Sequence, residues 1–493
     1  MRLPGQRNPP GAKRAPVASH RRSGRLPVYV AGVFFLASVF LMFRDEILSL
    51  TTTARSSPPT AGSSAGDGLP RREELSVKPV LRHSGKPERH HRVTERHRKA
   101  SAKRPRKKAT KAAAAKKTSK VAARPGPGVV DVPETCDLSK GDWVFDNASY
   151  PLYREEACEF LTAQVTCMRN GRRDDGYQKW RWQPRDCDLP AAFDAKHFME
   201  RLRGKRLMFV GDSLNRNQWE SMVCLVQPAL SPGKKYVTWW EGNRVIFHAV
   251  EYNATVEFYW APFLVESNSD DPKIHSIQDR VIKPDAIAAH AGNWRGVDYL
   301  VFNTYIWWMN TLNMKVMRPT GKTWEEHDEV VRIEAYRRVL DTWATWVNHN
   351  VDPARTSVFF MSVSPLHISP EAWGNPGGVR CAKEEAPVRK WRGPLWVGTD
   401  WDLHRAAANA SRAVTRVPVT FVDVTAMSER RKDAHTSVHT IRQGRALTPE
   451  QQADPATYAD CIHWCLPGVP DVWNLMLYAR IMSRPSPPSG RRV

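Results

Sequence analysis

The eight cysteines of this 493-residue chain all lie between Cys136 and Cys465. An even number confined to one region is typical of a disulfide-bonded domain in an oxidising compartment. Cys461 and Cys465 also have a spacing compatible with metal ligation, but no second Cys/His pair at zinc-finger spacing accompanies them. We therefore expect disulfides rather than a metal site at Cys136, Cys158, Cys167, Cys187, Cys224, Cys381, Cys461 and Cys465. The pairing stays open, because eight cysteines allow about a hundred connectivities.

The positive charge of the chain is concentrated at its N-terminus. Residues 1–130 carry 29 of the 74 Lys and Arg residues but only 7 of the 51 Asp and Glu residues, which is +22 of the net charge of +23. The remaining residues are almost neutral, so the folded region has no basic excess of the kind that nucleic-acid binding needs. We therefore expect no nucleic-acid partner.

Residues 26–43 form an 18-residue stretch without a charged side chain. This length is near the lower limit for a helix that spans a bilayer. Basic residues precede the stretch, so the positive-inside rule places residues 1–25 in the cytosol and the rest of the chain in a lumen. A cleaved signal peptide is the alternative, but the apolar run is long and no A-x-A-like cleavage site ends it. The sequence predicts an uncleaved transmembrane anchor.

Residues 44–130 are rich in Lys, Arg, Ser, Pro and Ala and contain few apolar residues. A segment of this composition cannot bury enough apolar surface to offset the entropy cost of ordering it. Its basic run at 97–117 resembles a nuclear-localisation or nucleic-acid patch by pattern alone. Because the segment follows a membrane anchor, we expect a disordered basic lumenal stem.

Short apolar runs alternate with helical patterns between residues 131 and 493. The segment 326–347 has apolar residues at helical spacing, whereas 245–259 alternates and predicts an inserted hairpin around Asn253 and Ala254. Buried strands are predicted at 207–210, 299–303, 358–363 and 420–424. Strand–helix alternation favours an α/β fold with a mainly parallel sheet that helices cover on both faces.

Three Asn-x-Ser/Thr sequons lie in the predicted lumenal region, at Asn147, Asn253 and Asn409. A single sequon is a weak signal for N-glycosylation. Three on the same side of the predicted anchor agree with the oxidising compartment that the cysteines indicate.

The apolar strand predicted at 207–210 runs directly into Gly211, Asp212 and Ser213. Gly211 permits a tight turn, and Ser213 then lies where a helix begins, at the carboxyl edge of the sheet. The helix N-terminus offers N–H groups and a partial positive charge to a developing oxyanion. The simpler alternative is that Asp212 or Ser213 only caps the helix.

A second candidate group, Asp460-Cys-Ile-His463, lies near the C-terminus. The spacing predicts that Asp460 and His463 lie on one side of a turn. His463 could then accept the proton of Ser213 while Asp460 orients the imidazole ring. Serine alone is a poor nucleophile, so this set of residues favours covalent catalysis.

These motifs resemble the trichome-birefringence-like family of plant polysaccharide O-acetyltransferases, which is related to the SGNH/GDSL hydrolases. The resemblance covers residues 134–482 and is strongest at 136–146 (CDLSKGDWVFD), 211–218 (GDSLNRNQ) and 460–474 (DCIHWCLPGVPDVWN). It implies an SGNH/GDSL-like three-layer sandwich at 191–493. It also implies a disulfide-rich N-terminal segment at 131–190, which we expect at least one disulfide to tie to the rest.

The resemblance also implies roles for single residues. Ser213 matches the nucleophile, Asp460 the orienting acid and His463 the general base. Arg216 matches the arginine after the GDS turn, with a role in substrate or oxyanion binding, and Asn303 stands where the wider superfamily places an oxyanion-hole asparagine. The superfamily's glycine block is not identifiable in this sequence.

The segment 302–310 is similar to the xylan-acetylating branch of the family. The resemblance thus implies acetyl transfer to xylan in the Golgi lumen by a type II membrane protein. Acetyl-CoA or a donor derived from it would be the co-substrate, and no metal is required.

Three other functions compete with this one: acetylation of mannan or pectin, a lumenal polysaccharide acetylesterase, and a polysaccharide-binding protein with an inactive site. The chain's 19 tryptophans suit stacking on sugars, although we expect more than half of them to be core residues. Those that flank the motifs are Trp182, Trp307, Trp308 and Trp464.

Overall fold

The computed structural model of the chain describes residues 132–190, 192–240, 243–272, 279–389, 395, 397–442 and 444–484. The tail, anchor and stem predicted for residues 1–130 lie outside this set, and these predictions remain untested. Within the described ranges, no helix combines the length and apolarity that crossing a membrane requires.

Seven strands form the central sheet. Their spatial order is β12 (Val419–Val422), β11 (Ser357–Met361), β8 (Tyr299–Phe302), β3 (Arg206–Gly211), β6 (Ala254–Trp260), β5 (Arg244–Ala249) and β4 (Lys235–Trp240). Neighbouring strands from β12 to β6 are parallel, while β5 and β4 are antiparallel to their neighbours. The predicted central strands 207–210, 299–303, 358–363 and 420–424 correspond to β3, β8, β11 and β12.

In the described part of the chain, four smaller sheets accompany the central one. β1 (Gly141–Phe145) pairs with β2 (Trp180–Pro184), and β10 (His327–Val331) and β7 (Val281–Ile282) flank β9 (Asn313–Met317). β13 (His435–Ser437) pairs with β16 (Asp460–Trp464), and β14 (Ile441–Arg442) with β15 (Arg445–Ala446). Most of these pairings are antiparallel, so the expectation of a mainly parallel architecture is corrected to a mixed one.

Nine described α-helices accompany the strands: α1 (Ala195–Arg201), α2 (Ser213–Val226), α3 (Ala288–Ala291), α4 (Arg332–Asn350), α5 (Trp401–Ala413), α6 (Thr425–Ser428), α7 (Pro449–Ala453), α8 (Pro455–Tyr458) and α9 (Val469–Met482). Helix α2 packs against β3, β6, α1 and α9, whereas α4 packs against α5. The four residues Leu207–Val210 of β3 have no exposed surface. Because alternate side chains of a strand point to opposite faces, both faces of the sheet are covered there.

Two of the predicted elements differ from the structure. The hairpin at 245–259 is present as β5 and β6, but β6 also pairs with β3, so the hairpin extends the central sheet and is not an insertion. The helix predicted from residue 326 begins only at Arg332, because His327–Val331 pair with β9 as strand β10. Periodicity could not reveal this pairing, which depends on a distant strand.

All eight cysteines form disulfides, as expected. The bonds join Cys136 to Cys187, Cys158 to Cys224, Cys167 to Cys465 and Cys381 to Cys461. The second and third bonds connect the N-terminal segment 131–190 to the rest of the chain, at α2 and just after β16. The expectation that at least one disulfide makes this connection is confirmed.

Candidate active site

Ser213 is the first residue of helix α2, and only Asp212 separates it from the end of strand β3. A Cβ atom at Gly211 would lie 2.4 Å from the carbonyl oxygen of Asn303, so only glycine fits where the chain turns. The predicted strand–turn–helix arrangement around Ser213 is therefore present, with the serine at the carboxyl end of a central strand.

Asp212 is the N-cap of α2, as the simpler alternative predicted. Its carboxylate accepts hydrogen bonds from the N–H groups of Leu214 (2.9 Å), Tyr305 (3.3 Å) and Ile306 (3.2 Å). Burial raises the pKa of Asp212, although these N–H groups favour its charged form. Asp212 thus joins the start of α2 to the segment that follows β8 and leaves the Ser213 hydroxyl available for another partner.

The Ser213 hydroxyl contacts His463. Ser213 Oγ lies 2.8 Å from His463 Nε2, and His463 Nδ1 lies 2.8 Å from Asp460 Oδ2. The carboxylate accepts the Nδ1 proton, which leaves Nε2 without a proton and able to accept one from the serine. The structure therefore brings together the three residues that the sequence singled out, although 250 positions separate Ser213 from His463.

Asp460 and His463 lie on strand β16 rather than on the predicted turn. In a regular strand, residues three apart point to opposite faces. Asp460 begins the strand and folds back along it, so that its Oδ1 accepts hydrogen bonds from the N–H groups of Ile462 and His463, both at 3.0 Å. The two side chains therefore make the contact that the spacing predicted, although they lie on a strand and not on a turn.

Burial disfavours the charged form of Asp460, but the electrostatic interaction with His463 and the hydrogen bonds from His463 and Ile462 outweigh burial and lower the pKa of this carboxyl below its usual range. The side chains of Asp460 and His463 are each 14% exposed. Asp460 therefore stays ionised while His463 remains accessible from solvent, as a proton-transfer pair requires.

Asn217 joins the two elements that carry the triad. It lies one helical turn beyond Ser213, and its Oδ1 accepts a hydrogen bond from Trp464 N–H at 2.8 Å while its Nδ2 donates to Trp464 O at 3.2 Å. Asn217 lies outside the residues that the sequence motifs marked as catalytic. Its spacing of four residues from Ser213 was the available signal, since residues at this spacing share a helix face.

Two buried histidines lie behind β16. His367 Nδ1 is 2.7 Å from His435 Nε2, and His435 Nδ1 is 3.1 Å from the backbone oxygen of His463. His435 also stacks on Trp464, with ring centroids 3.9 Å apart. Burial lowers the pKa of both histidines, to about 4 for His367. They pack beside the strand that carries His463, because His435 lies on β13, which pairs with β16.

The two remaining candidates have different surroundings. Arg216 Nη2 donates to Gln164 Oε1 at 2.6 Å, and Arg216 Nε lies 3.6 Å from Glu220 Oε1. Asn303 is only 5% exposed. With its amide nitrogen facing the carboxylate, it lies 3.2 and 3.3 Å from the two oxygens of Asp212. Its role in an oxyanion hole remains a prediction, and the structure adds its contact with Asp212.

The tryptophans that flank the motifs are core residues. Trp182, Trp307, Trp308 and Trp464 are at most 7% exposed, so none offers an open face to a sugar. Trp239 and Trp240 on the edge strand β4 are exposed instead, by 69% and 54%. The expectation that most tryptophans lie in the core holds for these four.

The asparagines of the three sequons, Asn147, Asn253 and Asn409, are all exposed. Each is therefore accessible to modification, and their glycosylation remains a prediction. Among the described residues, no group of three or more His, Cys, Asp and Glu side chains has the arrangement of a metal site.

Comparison with known proteins places these features in a family. Residues 189–480 match the PC-Esterase model, described as the GDSL/SGNH-like acyl-esterase family found in Pmr5 and Cas1p, and residues 134–188 match the PMR5 N-terminal domain. The chain is 80% identical to Xylan O-acetyltransferase 2 of Oryza sativa subsp. japonica, over 99% of both chains.

Two further relatives extend the match. Xylan O-acetyltransferase 3 of the same organism is 62% identical over 72% of this chain and 78% of its own length. Protein trichome birefringence-like 3 of Arabidopsis thaliana is 44% identical over 71% of this chain and 80% of its own length. The chain therefore belongs to the trichome-birefringence-like family, whose main domain is GDSL/SGNH-like.

Proposed function

We propose that this chain is a xylan O-acetyltransferase that works through an acetylated serine. The proposal rests on the continuous chain of hydrogen bonds from Ser213 through His463 to Asp460. The names of the rice relatives support xylan as the acceptor, and one of these relatives is 80% identical over the whole chain.

The first half of the reaction transfers the acetyl group to the enzyme. Ser213 Oγ attacks the acetyl carbonyl carbon while its proton passes to His463 Nε2, and Asp460 stabilises the imidazolium. The N-terminus of α2, at Ser213, contributes a partial positive charge near the developing oxyanion. Collapse of the tetrahedral intermediate breaks the bond to the leaving group, which takes the proton from His463.

The second half transfers the acetyl group to the polysaccharide. A xylosyl hydroxyl gives its proton to His463 Nε2 and attacks the carbonyl carbon of the acetyl-serine. The Ser213–acetyl bond then breaks, and Ser213 Oγ recovers the proton from His463. Water that entered the site would react in the same way and turn the transfer into hydrolysis.

Acetyl-CoA, or a donor derived from it, is the acetyl source that we propose. With acetyl-CoA the leaving group is a thiol, which needs little assistance in leaving. Arg216, whose side chain is 31% exposed beside the triad, assists substrate or oxyanion binding. Asn303 is the proposed oxyanion-hole asparagine, and its amide also contacts the Asp212 carboxylate that caps α2.

We also propose the domain organisation and location. Residues 1–25 form a cytosolic tail, 26–43 the membrane anchor and 44–130 the lumenal stem of a type II Golgi membrane protein. Residues 131–190 form the cysteine-rich segment and 191–493 the catalytic domain. The four disulfides support an oxidising lumen, and the exposed sequons Asn147, Asn253 and Asn409 agree with it.

The function can be tested with the full-length chain in detergent, incubated with acetyl-CoA and unsubstituted xylo-oligosaccharides. Mass spectrometry should detect acetylated products that the Ser213→Ala variant does not form. Products with mannan or pectin fragments instead of xylan would keep the mechanism and change the acceptor. Free acetate without acetylated product would indicate an esterase.

A further inference from the structure

A loop of the N-terminal segment contacts both elements of the triad. Its two ends, Cys158 and Cys167, are disulfide-bonded to Cys224 on helix α2 and to Cys465 just after strand β16. Near its second end, Val165 O accepts a hydrogen bond from Leu466 N–H at 3.0 Å. The 158–167 loop is thus attached to the helix of Ser213 and to the strand of His463.

The middle of the loop binds a buried carboxylate. Glu220 on α2 is 1% exposed and accepts hydrogen bonds from Thr162 N–H (2.9 Å) and Thr162 Oγ (3.0 Å). Burial raises the pKa of Glu220, and Arg216, whose Nε is 3.6 Å away, opposes this effect. Thr162 thereby holds Glu220, whose carboxylate forms an ion pair with one side of the Arg216 guanidinium.

Gln164, two residues further along the loop, contacts the other side of Arg216. Its Oε1 accepts from Arg216 Nη2 at 2.6 Å, and this bond turns its Nε2 towards His463 Nδ1, 3.4 Å away. The Nδ1 proton already points to Asp460 Oδ2. Both nitrogens carry hydrogen in this tautomer, so Gln164 makes a van der Waals contact with the edge of the ring and no hydrogen bond, and the bond to Asp460 is intact.

We propose that Gln164 is a positioning residue of the acetyl-transfer site. It holds the guanidinium of Arg216 and the ring of His463 in a fixed relation, so that Nε2 keeps facing Ser213. The inference rests on the proposed function for its catalytic readout. It makes the cysteine-rich segment part of the active site, although the triad lies entirely outside that segment.

Two substitutions separate this role from ordinary packing. Gln164→Ala removes both contacts and should lower kcat about 10- to 100-fold with little change in KM for the acceptor, because a loosened base spends less time in the reactive geometry. Gln178→Ala is the matched control. It removes a half-buried glutamine of the same segment whose amide donates to the Tyr177 hydroxyl.

Gln164→Glu keeps the shape of the side chain but places a carboxylate beside the imidazole ring of His463. The ionisable groups already around the ring are Asp460 on its own strand, Arg216 and Glu220 on α2, and His435 on β13. One more negative charge favours the imidazolium. The acidic limb of the kcat–pH profile should therefore move to higher pH, a shift that a purely structural residue would not cause.

Labelling of Ser213 by a fluorophosphonate gives a readout that needs neither donor nor acceptor. On the full-length chain, Gln164→Ala should slow the labelling by the same factor as kcat, with an unchanged unfolding midpoint, while Gln178→Ala labels like wild type. Wild-type labelling and an unshifted pH profile in both Gln164 variants would overturn the inference. If xylan acetylation fails in the wild type but labelling still depends on Gln164, the proposed function fails and the positioning role stands.

Discussion

The Asn217 side chain forms hydrogen bonds with the backbone N–H and the backbone C=O of Trp464, as the backbone of a neighbouring strand would. Its side-chain oxygen lies 2.8 Å from Trp464 N and its nitrogen 3.2 Å from Trp464 O. Because Asn217 is one turn from Ser213 and Trp464 follows His463, this pair of bonds sets the position of the base relative to the nucleophile. The 2.8 Å separation between Ser213 Oγ and His463 Nε2 depends on it.

Replacing Asn217 with Ala should therefore affect both stability and activity. Two buried backbone groups lose their partners, which costs about 1–3 kcal/mol of unfolding free energy. The displaced base should slow acetyl transfer about 10- to 100-fold. Urea unfolding and the transfer assay measure the two effects.

Asn348 offers a matched control, because its side chain also makes two hydrogen bonds to backbone groups, here both accepted by Oδ1 from Thr415 and Arg416, between elements that do not carry the triad. The Asn348→Ala variant should retain wild-type activity. Equal loss of activity in both variants would mean that the Asn217–Trp464 pair has no special role in positioning the base.

Changing Asp460 to Asn should lower kcat about 10⁴-fold, as expected when the base takes the wrong tautomer. The amide can donate to His463 Nδ1, which moves the ring proton to Nε2 and prevents this atom from accepting the serine proton. Steady-state transfer kinetics measure the loss.

A second His–Asp pair provides the comparison for this variant. His404 Nε2 lies 3.1 Å from Asp423 Oδ1, outside the triad. Asp423→Asn should change stability but leave kcat near the wild-type value. An Asp460→Asn enzyme with more than a tenth of wild-type kcat would contradict the role assigned to Asp460.

Removal of the Cys167–Cys465 disulfide by paired Ser substitutions should lower both stability and kcat. A native disulfide contributes about 2–5 kcal/mol, and this one attaches the 158–167 loop next to the strand of His463. The same change at Cys136–Cys187, a bond within the N-terminal segment, should cost stability and leave kcat unchanged in folded protein. Transfer rates normalised to folded protein, measured by circular dichroism, distinguish the two bonds.

Asp471 should make the folded state less stable as the pH rises. Its carboxylate accepts from Tyr153, Ser221 and Gly468, with no cation among these donors. Burial raises its pKa from 3.8 to about 6. Between pH 3.8 and about 6 the folded state binds more protons than the unfolded state. The contribution of Asp471 to the unfolding free energy is therefore fully present below the unfolded-state pKa and is lost as the pH rises through the folded-state pKa.

The test compares wild type with Asp471→Asn by urea unfolding at several pH values. The difference in unfolding free energy, wild type minus variant, should fall with rising pH by at most about 1.4 kcal/mol per unit. A constant offset from altered hydrogen bonds does not affect this slope. A difference that stays flat or rises between pH 4 and 6 would contradict the assignment.

Local patterns in the sequence predicted the parts of the site that lie within one element. The apolar run before Gly211 predicted strand β3, and the Asp460–His463 spacing predicted the contact between these side chains. The local conformation of this second motif was wrong, because pairing with β13 makes it a strand. Asn303 was assigned by analogy with the wider superfamily, and its contact with Asp212 is one that the analogy did not predict.

Contacts between distant segments could not be predicted in this way. Gln164 lies 52 positions from Arg216 and 299 from His463, and nothing in its own neighbourhood marks it. The disulfide pairing had the same difficulty, since cysteine spacing does not indicate partners. Both depend on how the N-terminal segment packs across α2 and β16, which is a property of the whole fold.

The most direct test of the proposed mechanism is to look for the acetyl-serine itself. The full-length chain would be mixed with acetyl-CoA without acceptor, quenched in acid, digested and analysed by mass spectrometry. We expect one acetyl group on Ser213, lost when xylo-oligosaccharides are added before the quench and recovered on the sugar. Acetylated xylo-oligosaccharides formed by a Ser213→Ala variant, or by wild type without any acetyl-Ser213, would contradict the double-displacement mechanism.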